Sequence, residues 1–209
     1  LAEIEAHERA IDQTGEIDET LNTSVVPLPA PPKPDIEPVE EQYEFSLEEI
    51  SDVIGKEKDV SGVDIVEKIL KPIAYHETGG DLDPEKEQIG GGPGRGLMQF
   101  EGARGDGKAF DTAVNRANAF FNSRNMEIPI WVKSINEGDD ASSLGSDQQM
   151  MLALLDYTMK EKADIGKVLK GEQSLTDFWL DFHWAGAEKD KEARRTSFEK
   201  HMKDYLKEE

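Results

Sequence analysis

The chain contains no cysteine among its 209 residues. This absence excludes a disulfide framework, a thiol nucleophile and a thiolate-bound metal. Histidine is also scarce, with four in all. His76-Glu77 begins like the zinc-protease pattern His-Glu-x-x-His, but Gly80 stands where the second histidine is required. We therefore expect neither a metal ion nor any other cofactor.

Long apolar runs and basic residues are scarce as well. The longest apolar run, Met150–Leu155, is too short to span a bilayer, and no signal-peptide pattern opens the chain. The chain has 24 Lys and Arg against 45 Asp and Glu, a net charge of −21. Nucleic acid is therefore not an expected partner, because phosphate binding needs clustered basic residues.

The N-terminal part is acidic and rich in proline. Hydrophobic residues are only 36% of the chain, so part of it is expected to stay outside a packed core. Six prolines in residues 25–39 favour an extended spacer, and a proline-rich ligand for a partner domain is the alternative. Because the first residue is Leu and not Met, we expect a piece of a longer protein. We predict a linker at 1–42 and a folded domain at 43–209.

Within that domain the pattern of apolar residues is mainly that of helices. Ser46 with Glu49 predicts a capping box that opens a helix at about 46–54. Further helices are expected at 62–77, 108–122, 147–162, from Ser174 onward with Asp177 in the cap, and at about 188–207. Strands are scarce, and glycine-rich loops fill 79–107. The expected fold class is a mainly α domain.

Each predicted helix has an apolar face, and Pro72 is expected to kink the helix at 62–77. The residues expected to face inward are Val63, Val66, Leu70, Ile73, Ala74, Phe110, Ala113, Val114, Ala117, Phe121, Gln148, Leu152, Leu155, Met159, Leu175, Phe178, Trp179, Phe182, Phe198, Met202 and Tyr205. Trp179 is interpreted as a plain core residue because it lies on such a face.

Glu77 continues the apolar stripe of the helix at 62–77, four positions beyond Ile73. A carboxyl group there should face the core side of the helix, which Gly79 and Gly80 end. Burial and the partially negative helix C-terminus both raise the pKa of a carboxyl group, as general-acid chemistry requires. The alternative is a structural glutamate satisfied by an arginine or by backbone donors.

Three motifs follow each other in a recognisable order. They are Tyr-His-Glu-Thr at 75–78, Gly-Arg-Gly-Leu-Met-Gln at 94–99 and Phe-His-Trp-Ala-Gly at 182–186. This order resembles the goose-type lysozyme and lytic transglycosylase superfamily, over about residues 60–190. The Gly-Leu-Met-Gln match is complete, whereas His183-Trp184 stand where Tyr-Asn is usual. The resemblance implies a lysozyme-like helical domain.

The resemblance also implies roles for individual residues. Glu77 would donate a proton to the glycosidic oxygen between N-acetylmuramic acid and N-acetylglucosamine. Gly96, Leu97, Met98 and Gln99 would form the substrate-binding segment, with Met98 and Gln99 in contact with sugar. The aromatic residue near the catalytic glutamate would be His183 or Trp184.

Glu101 lies two positions beyond Gln99, where goose-type lysozymes carry an aspartate. Hydrolysis with inversion needs a second carboxylate that activates water, roughly 6.5–9.5 Å from the acid. Glu101 is the candidate, and an exposed loop acid is the alternative. A lytic transglycosylase needs no such base, because the muramic 6-hydroxyl attacks internally. Both reactions therefore stay open.

The sequence of residues 90–101 is most similar to lysozyme domains of phage virion proteins. That resemblance implies a domain that is carried on the virion and acts in the bacterial cell wall or periplasm during genome entry. Its partners would be peptidoglycan glycan strands and, through the N-terminal segment, other virion or tail proteins. The alternative function is a structural virion or wall-binding module with the same fold and no activity.

Overall fold

A computed structural model of the chain describes residues 44–88, 91–183 and 186–208. These residues belong to one unit, Glu41–Glu209. The predicted linker at 1–42 lies outside the described residues. The described part is mainly helical, as predicted, and its helices are α1 (Leu47–Lys58), α2 (Gly62–Ile65), α3 (Lys71–Thr78), α4 (Ala109–Ser123), α5 (Ile130–Lys133), α6 (Ser146–Met159), α7 (Ile165–Leu169), α8 (Leu175–Phe182) and α9 (Lys191–Glu208).

Helix α1 begins with the predicted capping box. The hydroxyl of Ser46 accepts a hydrogen bond from the backbone N–H of Glu49, whose carboxylate accepts from the N–H of Ser46. The helix continues to Lys58, beyond the predicted end near residue 54, and ends at Asp59 in the left-handed conformation. Local sequence thus fixed the start of α1 better than its end.

The helical stretch that leads to Glu77 contains a π-helical turn, Val66–Leu70, between α2 and α3. Pro72 lies in the first turn of α3, directly after this turn. A proline inside a helix has no N–H to donate and crowds the carbonyl four residues earlier, and the wider π turn accommodates both effects. The turn also changes the phase of the apolar stripe. The prediction for Val63 was wrong, since it is 56% exposed, while Ile69 is fully buried.

The central helices α4 and α6 pack against each other. All five residues predicted to face inward on α4 are buried. The prediction for α6 was too narrow, because Met150–Tyr157 is buried on every side of the helix. Gln149, and not Gln148, is the fully buried amide at its start. A helix segment that is buried on every side lies inside the domain, so an apolar stripe on one face does not describe which of its residues are buried.

Helices α3, α8 and α9 form a second contact region. The indole of Trp179 on α8 stacks on Phe198 of α9, with ring centroids 4.7 Å apart. His76 on α3 lies edge-on to the same indole, at 4.7 Å. Tyr75 packs against Tyr205 of α9 at 5.2 Å. The inward positions Phe198 and Tyr205 of the last helix are therefore confirmed, and they fix α9 over the end of α3.

The glycine-rich region between α3 and α4 contains a small hairpin. Strands β1 (Gly94–Arg95) and β2 (Phe100–Glu101) are antiparallel, with Gly94 opposite Glu101 and Arg95 opposite Phe100. The four residues Gly96–Gln99 make the tight connection between them. The Gly-Leu-Met-Gln segment is thus the tip of a hairpin, and the other described residues of the region lie in loops.

Candidate functional site

A cleft of about 330 Å³ opens between the C-terminal ends of α3 and α8, the β hairpin, and helices α4 and α6. Residues from all three sequence motifs line it. The lining residues that matter for chemistry are Glu77, Met98, Gln99, Glu101, Asp156 and His183. The fold therefore brings together the glutamate at the end of α3, the hairpin tip and the histidine after α8.

Glu77 lies mostly buried in this cleft, with 16% of its side chain exposed. Its Oε1 accepts a hydrogen bond of 2.6 Å from the indole Nε1–H of Trp179. Burial raises the pKa of Glu77 to about 7, against the opposing effects of the Trp179 hydrogen bond and the positive charge of Arg194. Desolvation wins because the ionised carboxylate loses more water contact than one N–H donor returns. Glu77 can therefore hold a proton near neutral pH.

Two nitrogen atoms lie near the same oxygen of Glu77. Besides the Trp179 hydrogen bond, Nε2 of His183 lies 3.4 Å from Oε1. Oε2 is then the oxygen on which a proton can reside without displacing the Trp179 donor. A carboxylic acid with one oxygen anchored and the other protonated is the arrangement that a directed proton donor needs.

His183 is itself held by Tyr157. The hydroxyl of Tyr157 lies 2.7 Å from Nδ1 of His183. Burial lowers the pKa of His183 to about 3, with a contribution from Lys160, so the imidazole is neutral at physiological pH. Burial also raises the pKa of Tyr157 well above its usual value, so its hydroxyl keeps its proton. The ring of His183 also hydrogen-bonds to the backbone of Met98. Tyr157 and the hairpin tip therefore hold His183 beside Glu77.

The hairpin tip is fixed in place by the buried amide of Gln149. Its Oε1 accepts from the N–H of Leu97 at 2.6 Å, and its Nε2 donates to the carbonyls of Pro84 and Leu144, both at 2.8 Å. Gly96 has a positive φ of 75°, and a Cβ there would overlap the Gln149 amide. Glycine is therefore required at this position for two independent reasons.

The four predicted substrate-binding residues of the tip differ in their exposure. Met98 and Gln99 line the cleft, although the Gln99 amide nitrogen already donates to the carbonyls of Gly96 and Lys86. Leu97 is 2% exposed and packs in the core, and Gly96 lies against Gln149. Met98 borders the cleft but is fully buried. Gly96, Leu97 and Met98 therefore support the tip, and Gln99 is the residue of the tip that a ligand can meet.

The second predicted carboxylate also reaches the cleft. Glu101 is exposed on β2 and belongs to the cleft lining with Glu77. Trp184, the other candidate after α8, lies outside the described residues. Its exposure and its place in the cleft agree with both interpretations from the sequence, a water-activating base and an acidic surface residue.

Sequence reasoning missed three residues that organise the site. Trp179 is buried, as interpreted, but it is also the hydrogen-bond donor to Glu77. Its position four residues before His183, which directly follows α8 in helical conformation, was an available signal, because such residues share a face. Tyr157 and Gln149 act across long sequence separations, and no local pattern indicates their partners.

Within the described ranges, no cluster of His, Asp and Glu could hold a metal ion. His76 instead contacts Phe198 and His201, and its pKa is lowered to about 3, mainly by burial. No helix in the described part of the chain has the length and apolar character needed to cross a membrane. Comparison of the chain with protein-family models, with curated proteins and with solved structures finds no match.

Proposed function

We propose that this domain cleaves the β-1,4 bond between N-acetylmuramic acid and N-acetylglucosamine in peptidoglycan, with Glu77 as the proton donor. The observation that carries the proposal is a carboxyl group with a pKa of about 7, largely buried at the base of an open cleft. General acids work best when their pKa lies near the operating pH. The motif resemblance to goose-type lysozymes and lytic transglycosylases supplies the substrate class.

The chemistry follows from the arrangement around Glu77. The proton on Oε2 passes to the glycosidic oxygen while the bond from that oxygen to the sugar C1 breaks, which leaves Glu77 ionised. Trp179 stabilises the carboxylate that forms, because the hydrogen bond donated by its indole N–H becomes stronger when the oxygen carries charge. The C1 of the sugar is then attacked by water, which loses a proton to Glu101, or by the muramic 6-hydroxyl, whose proton passes to the ionised Glu77.

A catalytic domain is a better interpretation than a structural module with the same fold. A buried carboxyl group that must lose its proton lowers the free energy of unfolding. We would not expect such a group to persist in a domain that had lost its activity. Here Glu77, the Trp179 donor to its Oε1, the nearby His183 and the Met98–Gln99 wall are present together. We further propose that the domain travels on a phage virion, tethered through residues 1–42.

The test is clearance of purified peptidoglycan by the full 209-residue chain and by Glu77→Gln. We expect the variant to lose about 10²–10⁴-fold in rate, the usual contribution of a positioned general acid. Glu67→Gln is the matched control, because Glu67 lies in the same helical stretch, is partly exposed and pairs with Lys71 at 2.7 Å. A wild-type chain that releases no glycan fragments, or a Glu77→Gln variant as active as wild type, contradicts the proposal.

A further inference from the structure

An ionic trio lies in the wall of the cleft. Asp156 on α6 is 3% exposed, and its two oxygens are used by two different cations. Oδ1 accepts from Arg116 of α4 at 2.6 Å, and Oδ2 accepts from Lys160 at 2.7 Å. All three residues line the cleft with Glu77 and His183. Two positive side chains therefore meet one buried carboxylate, and the trio keeps a net charge of +1.

Arg116 and Lys160 each have hydrogen-bond donors that Asp156 does not use. Arg116 is 34% exposed at its side chain, and its other guanidinium donors have no partner among the residues that the structure describes. Lys160 is 24% exposed and also donates to the carbonyl of Phe182 at 2.5 Å, which leaves one of its three donors. A single i,i+4 lysine would already neutralise Asp156. The second cation is an excess positive charge placed beside an open cleft.

The surroundings make this excess unusual. The whole chain has a net charge of −21, and Glu101 and Asp181 also line the cleft. Asp181 pairs with Lys191 outside the cleft at 3.4 Å. A ligand carboxylate that entered the cleft would meet Arg116 and Lys160 as its attractive partners. The planar guanidinium fork suits a carboxylate, which it can bind through two parallel N–H donors.

We propose that Arg116 and Lys160, held in place by Asp156, bind a carboxylate carried by the peptide substituent of the glycan strand. This inference rests on the proposed function and narrows its substrate to peptide-bearing muramyl strands, as opposed to uncharged polymers of N-acetylglucosamine. Lys160 also bonds the residue before His183. A carboxylate bound there lies next to the catalytic end of the cleft, so the muramyl unit is oriented towards Glu77.

The test measures binding in the Glu77→Gln full chain, in which turnover is expected to be about 10²–10⁴-fold slower. The probes are an N-acetylmuramyl dipeptide with a free carboxylate and the same fragment with a carboxamide in its place. We expect about tenfold tighter binding of the carboxylate form by calorimetry, the effect of one charge-assisted hydrogen bond. Adding Arg116→Gln should abolish this preference. Equal affinity for the two fragments, or no binding of either, overturns the proposal.

Arg104→Gln is the matched control. Arg104 pairs with Asp111, is 28% exposed at its side chain and lies outside the cleft lining, so this variant should keep the tenfold preference. Should Arg116→Gln fail to fold, salt provides a second measurement, because raising ionic strength should reduce the preference of the Arg116-intact chain. A preference insensitive to salt contradicts the proposal.

The two proposals fail in different ways. A chain that cleaves peptidoglycan but shows no carboxylate preference refutes the subsite and leaves the proposed function intact. A chain that prefers the carboxylate fragment but releases no glycan products refutes the cleavage function instead. In the active chain, Arg116→Gln should raise KM for peptide-bearing glycan about tenfold with kcat nearly unchanged, because it removes binding common to ground and transition states.

Discussion

The indole N–H of Trp179 donates to Oε1 of Glu77 across 2.6 Å, between residues that lie 102 positions apart in the chain. This bond favours the ionised carboxylate, while burial favours the protonated acid. The two effects balance at a pKa of about 7 for Glu77. Trp179 therefore prevents burial from making the acid too weak to release its proton.

Trp179→Phe should move the pH dependence of cleavage. Activity requires protonated Glu77, so kcat/KM of the wild-type chain should fall as pH rises through about 7. Removal of the N–H donor takes away a contact that lowers the Glu77 pKa, and the decline should then begin at higher pH. The measurement is a pH–rate profile on soluble glycan fragments.

Trp131→Phe is the control for that experiment. Trp131 is also buried, at 5% exposed, and its Nε1 has no hydrogen-bond partner among the described residues. This variant loses a similar packing volume without touching Glu77, so its profile should match wild type. A Trp179→Phe profile that coincides with both would show that the hydrogen bond does not tune the acid.

Glu77→Gln should stabilise the fold at alkaline pH. The folded pKa of Glu77 is about 7 and its ordinary value is 4.5, so the native state binds more protons between these limits. The wild-type free energy of unfolding therefore loses roughly 3 kcal/mol from this group as pH rises from 4.5 to above 7. A neutral glutamine has no such loss. Denaturant unfolding at pH 4.5 and pH 8 should show the variant's advantage growing with pH, and a pH-independent difference would contradict the raised pKa.

Glu101→Gln separates the two possible reactions. If water is the nucleophile and Glu101 activates it, the variant should lose about 10²-fold or more in rate. If the muramic 6-hydroxyl attacks, the variant should stay active and the products should be anhydro sugars, one water lighter than hydrolysis products. Mass spectrometry of the wild-type digest distinguishes anhydro sugars from hydrolysis products. An inactive variant alongside anhydro products would refute the role of Glu101 as a water-activating base.

Gly96→Ala should disrupt the hairpin tip. Gly107→Ala is the control, because Gly107 has nearly the same φ, 74° against 75°, but open space around its Cβ position. The control should lose about 1–2 kcal/mol from backbone strain alone. Gly96→Ala should lose roughly 1–3 kcal/mol more, because the new methyl group displaces the Gln149 amide from Leu97. Equal losses in thermal unfolding would show that the contact with Gln149 is unimportant.

Local sequence predicted the features that depend on neighbours along the chain. The Ser46–Glu49 capping box, the Ser174 cap of α8 and the apolar face of α4 were all confirmed. The placement of Glu77 on the buried side at the end of its helix was confirmed as well. Such features follow from hydrogen bonds and side-chain spacing within one or two turns, which a short stretch of sequence specifies.

The predictions that were wrong or incomplete depend on partners far along the chain. The exposure of Val63 follows from a π turn, and the buried surface of α6 follows from being surrounded by other helices. The sequence by itself determined a mainly helical domain with a candidate acid at residue 77. Only tertiary structure decided that Trp179 and His183 meet on one oxygen of that acid, because their contacts with it arise when α8 packs against α3.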